Sequence, residues 1–173
     1  MSEIIIPFEV GNEALRRSFI KEIVPELITA LKKDKSPIWG HLTAQHMVEH
    51  LTWTFVMSVG KIEVSCRETK EGLKKMRKFL FSDQPMPHEY KLPELGDGLP
   101  NLIYADFQQA QNAFLKSVEK FYAYYETNPK AVHTNPGFGD LGFEEWEYVH
   151  FKHCYHHLLQ FGLITDEVEL KKI

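Results

Sequence analysis

Residues 143–162 read FEEWEYVHFKHCYHHLLQFG. Glu144, Glu145 and Glu147 crowd its start, where a helix macrodipole favours anions, and Gly162 supplies a C-terminal stop. The spacing predicts a helix carrying His150, His153, His156 and His157. An α-helix turns about 100° per residue, so relative to His150, His153 lies at about −60°, His157 at about −20° and His156 at about −120°. Three histidines therefore share a face and His156 points elsewhere. His153 and His157, four apart, stand side by side and are spaced to chelate one metal ion. Cys154 rather than a glutamate follows His153, so the H-E-x-x-H zinc-protease mechanism is not supported. As a small buried residue, Cys154 is expected to point away from that face.

Working back along the chain, residues 41–60 read HLTAQHMVEHLTWTFVMSVG. Thr43 is an N-cap candidate and Gly60 a stop, which predicts a second long helix. Position 46, where a capping box would carry Glu or Gln, is His46. His46 and His50 repeat the four-residue spacing. Histidine pairs on two helices point to a metal site, and a three-histidine site with one open position is the catalytic arrangement for zinc and similar ions. The bland competitor is a hydrogen-bonded core histidine or a solvated one. His46 is open as a further ligand, a ligand-supporting group or a general base. His150 is a candidate acid/base in the same pocket.

The rest of the chain supplies further helices. After Asn12, Leu15, Phe19, Ile23, Leu27, Ile28 and Leu31 recur at threes and fours, while Pro25 predicts a kink or restart. Residues 67–81 predict a short basic amphipathic helix whose Lys70, Lys74, Lys75, Arg77 and Lys78 form a solvated face or attract an anionic substrate. Residues 82–100, rich in Pro and Gly, predict a long surface loop. Residues 105–127 predict a further helix, followed by a loop over 128–141, with no convincing strand anywhere. The expectation is an all-α protein: one helical-bundle domain over 1–173, with four long helices, one or two minor ones and long loops.

Composition narrows the function. The net charge of −4 leaves no footprint for nucleic acid. No apolar run nears the roughly 20 residues of a membrane span. The N-terminus lacks a basic segment and a small-residue cleavage site, so a cytoplasmic start is expected. Cys66 and Cys154 are expected to be free thiols. The aromatic content points to a homodimer.

The segment HCYHHLLQ (153–160) resembles the last-helix signature of the DinB/YfiT-like four-helix-bundle superfamily: His, a second His four residues on, and Gln three residues beyond. MVEHL (47–51) resembles the place where that superfamily supplies a third His, and TNPGFGDLGFEEW (134–146) looks closest to an uncharacterised branch of it. The sequence departs from the common pattern at Leu158 and Leu159, where Arg-Gly is frequent. The resemblance implies His50, His153 and His157 as ligands of zinc or nickel. It also implies an enzyme on a small molecule, in which the metal activates a bound thiol or water, as in thiol S-transferases and maleylpyruvate isomerase. For Gln160 the reading stays open between a hydrogen bond to a ligand imidazole, one to backbone, and an ordinary exposed side chain. The alternative is a non-catalytic bundle: a metal-stabilised, ligand-binding or dimerisation module.

Overall fold

The computed structural model of the chain describes residues 4–88 and 98–165. It is mostly helical, with one small sheet. Residues 89–97 of the expected 82–100 loop lie outside the described residues.

The first helical rod starts where Asn12 caps it, its Oδ1 accepting from the Leu15 amide at 3.0 Å. The rod runs through α1 (Glu13–Ser18), one π-helical turn (Phe19–Ile23) and α2 (Val24–Ala30). Pro25 cannot donate an amide hydrogen bond, so an interior α-turn would lose a bond there. The chain absorbs this by widening the preceding turn, where the Val24 amide reaches back five residues to Phe19. Pro25 then falls in the first turn of α2, where a missing N–H matters least. The expected kink or restart is thus realised as a π-turn.

Three long helices complete the body: α3 (Ala44–Ser58), α5 (Phe107–Thr127) and α6 (Phe143–Gln160); α4 (Lys70–Leu80) is shorter. The α3 helix packs on both α5 and α6, α1 on α6, α2 on α5, and α4 on α6. Between them lies a buried core including Phe19, Val24, Leu51, Phe114 and Phe151. Full burial of one such side chain stabilises by about 1.5–3 kcal/mol. A charged clasp joins α1 to α6. Arg16 and Glu147 are both fully buried, Arg16 Nη1 donates to the Val10 carbonyl at 2.6 Å, and Arg17 Nε donates to Glu147 Oε1 at 3.0 Å. On α4, Arg77 pairs with Glu145, while Lys70, Lys74, Lys75 and Lys78 are exposed, as a solvated face requires.

The all-α expectation needs one correction. His133–Asn135 (β1) pairs antiparallel with Gly139–Leu141 (β2), with His133 opposite Leu141. Three-residue strands are too short to show alternation, so the pattern along the chain missed them. Their turn is built by Asn135, whose Oδ1 accepts from the amides of Gly137 and Phe138 at 2.9 and 3.1 Å. The hairpin leads into α6, where the Glu145 carboxylate accepts from the Gly142 amide at 2.9 Å. At the other end Gly162, at φ +60°, closes α6: the amides of Gly162 and Leu163 return to the carbonyls of Leu159 and Leu158, each at 2.9 Å. Cys66 and Cys154 are both free. Among the described residues no helix is long and apolar enough to cross a membrane.

Candidate metal centre

Helical phase brings His153 and His157 to the side of α6 that faces α3, and α3 presents His50 to them. The Nε2 atoms of His153 and His50 are 2.8 Å apart, and those of His157 and His153 are 3.1 Å apart. The three rings meet edge to face, with centroids 4.6–5.1 Å from one another. Nitrogens on a tetrahedral zinc ion are separated by about 3.3 Å, given the usual Zn–N length. The three atoms therefore converge at nearly the spacing a single small cation needs. Among the described residues this is the one cluster of three or more His, Cys, Asp or Glu side chains so arranged.

Protonation favours the same reading. Burial holds the His50 imidazole down to about 4, with His156 adding to the effect. His153 and His157 lie well below the ordinary histidine range, through burial first and then through repulsion from neighbouring histidines. Neutral imidazole is the form that binds metal.

Gln160 decides which nitrogen of His157 is free. Its Nε2 donates to the Trp39 carbonyl at 3.0 Å, a group that can only accept. Gln160 Oε1 is thereby turned to His157 Nδ1, at 2.8 Å. Nδ1 must carry the proton, and the bare Nε2 lone pair points at the other two histidines. Gly40 makes room for this link: at φ +81°, it lies where a Cβ would come within 2.7 Å of Gln160 Nε2. His157 is buried, and His50 and His153 are half-buried.

The two histidines expected to transfer protons stand elsewhere. His46 completes the cap of α3: its Nε2 donates to the Pro100 carbonyl at 3.0 Å, and its Nδ1 accepts from Thr43 Oγ1 at 2.6 Å. Both ring nitrogens are engaged at the helix end, and neither is among the converging atoms. His150 is sealed in an aromatic box, stacked on Phe55 at 3.7 Å and flanked by Phe121 and Trp146. Its Nε2 bonds Ser58 Oγ at 3.0 Å, its Nδ1 has no partner, and burial pushes it down to about 3. It shares the helix face with His153, but the part of α3 opposite it offers the Phe55 ring and the Ser58 hydroxyl in place of an imidazole.

Glu49, beside His50 in sequence, is no ligand either. Its carboxylate accepts from the amides of Ile103 and Tyr104 at 2.7 and 3.2 Å, stapling that loop to α3. His156 points away from the cluster, as its phase predicts. Its ring sits edge-on to Trp39 and to His157, at 5.9 and 5.0 Å. Trp39 and Gly40 are the site residues that sequence reasoning missed. They lie in a loop, where no periodicity marks a residue, and the turn residue Gly40 is the one signal there.

Compared with protein-family models, curated proteins and solved structures, the chain finds no match.

Proposed function

We propose that this chain is a metal-dependent enzyme acting on a small molecule, built as a DinB/YfiT-like four-helix bundle. His50, His153 and His157 would hold a zinc or nickel ion. The observation that carries the reading is the convergence of three neutral imidazole nitrogens, one of them oriented by the Gln160–Trp39 link. The rod α1–α2 packed with α3, α5 and α6 supports the bundle reading.

When bound, the metal supplies Lewis acidity, which lowers the pKa of a thiol or water at an open position. The residues around it do the rest. Gln160 holds His157 in one tautomer, so no reorientation is needed on binding. Three neutral ligands bring no negative charge of their own, which favours a substrate anion such as a thiolate over a neutral group. Neither His46 nor His150 lies at the centre, so proton transfer falls to the substrate or to solvent.

Metal analysis of protein purified without a nickel column tests this. One ion per chain is expected, and it should be lost in His153→Ala and in His157→Ala. Absence of metal, together with a melting temperature unmoved by added zinc or nickel, would sink the reading. An ion whose removal lowers the melting temperature without any effect on thiol binding would indicate the metal-stabilised, non-catalytic module instead.

A further inference from the structure

We propose that a cleft between the end of α2, the 32–39 loop and the end of α6 is a second binding site. Its ligand would be an amphipathic anion, with an apolar body and one carboxylate. The cleft measures about 1240 Å³, larger than the roughly 300–1,000 Å³ of most small-molecule pockets and so with room for an apolar body of some size. Its walls are mainly apolar: Leu27 and Leu31 from α2, Leu159 from α6, and Leu163 and Ile164 just beyond. Along one side Trp39 lies flat on His88, with centroids 3.9 Å apart and planes 9° apart. Ile38, 69% exposed, stands at the mouth without cover, a costly position for a large aliphatic side chain. Gly162 adds no side chain to the wall, and a Cβ there would come within 3.0 Å of Ile38.

Charge selects the ligand. Lys32 and Lys35 line the rim with Asp34, and all three are exposed. Among the described residues neither ammonium has an ion-pair partner. Among the described residues, two ammoniums against one carboxylate leave the rim a net +1, enough for one anionic group and too little for a nucleic-acid backbone. Flat aromatic and branched aliphatic walls beneath a cationic rim suit an aryl or alkyl carboxylate lying with its charge outward.

The cleft is separate from the histidine centre. His50, His153 and His157 do not line it; His156 does, and its ring is edge-on to that of His157. The inference therefore does not rest on metal binding.

Isothermal titration calorimetry with 2-naphthoate and its neutral counterpart 2-naphthalenemethanol tests it. One naphthoate per chain is expected, at least tenfold tighter than the alcohol. The double variant Lys32→Gln/Lys35→Gln should bring naphthoate to the alcohol's affinity without moving the melting temperature. His153→Ala should leave naphthoate binding unchanged. The proposal is overturned by the absence of saturable binding, by equal affinity for the alcohol, or by undiminished binding in the double-lysine variant. Loss of binding in a folded His153→Ala protein would also overturn it, because the ligand would then sit at the histidine centre.

Discussion

His150 and the pair His153/His157 occupy one face of one helix, a single turn apart, yet they have opposite surroundings. His150 is enclosed by Phe55, Phe121 and Trp146 and spends its one partnered nitrogen on Ser58. His153 and His157 turn their nitrogens toward each other and toward His50. All are held neutral by burial, so desolvation does not tell a core histidine from a convergent one. What separates them is the facing helix. Along α3, one level offers a benzyl ring and a hydroxyl, and another offers an imidazole.

The sharpest way to break this contrast is a pair of substitutions. His157→Ala should weaken zinc binding by more than about 100-fold, beyond the usual effect of losing an outer-shell partner. His150→Ala should leave zinc binding intact and cost about 3 kcal/mol through the cavity it opens. Metal titration and denaturant unfolding read the two effects, and loss of zinc binding in His150→Ala would erase the distinction.

The pH dependence comes next. The folded His150 imidazole lies at about 3, against an unfolded value of about 6.5. Its depressed folded value means that the unfolded chain takes up the proton first. The stability from keeping it neutral is complete above pH 6.5 and is lost as pH falls toward 3, at up to about 1.4 kcal/mol per pH unit. His150→Phe should flatten the slope for metal-free protein by one proton, as measured by denaturant midpoints at pH 7, 6 and 5.

Smaller effects refine the contrast. Gln160→Ala should reduce metal affinity by about 10–100-fold, because His157 loses the partner that fixes its tautomer. Calorimetric zinc titration checks this, and unchanged affinity would remove Gln160 from the site. His46→Ala should cost at most about 1 kcal/mol of cap energy and leave zinc affinity unchanged. A loss of zinc binding there would return His46 to the centre.

Much of this was legible in the sequence. Asn12, Thr43 and Gly162 mark helix ends where the structure has them, and phase alone separates His156 from His153 and His157. Phase could not say what each histidine meets, because that depends on how two distant segments slide past one another. The aromatic box of His150 is a product of that register. The cap made by His46 depends on a carbonyl 54 positions away, at Pro100. The hairpin escaped because its order resides in Asn135 and the turn rather than in any alternation.

The π-turn between α1 and α2 has a consequence for the whole rod. One extra residue in a turn sets back the angular clock of everything that follows. The two halves of a single continuous helix are thus keyed to different neighbours: α1 to α6 and α2 to α5. Removing one residue between Phe19 and Ile23 would advance α2 by about 100° and swing Val24 and Ile28 out of the core. A change in the count there moves the whole of α2, whereas a substitution alters one side chain.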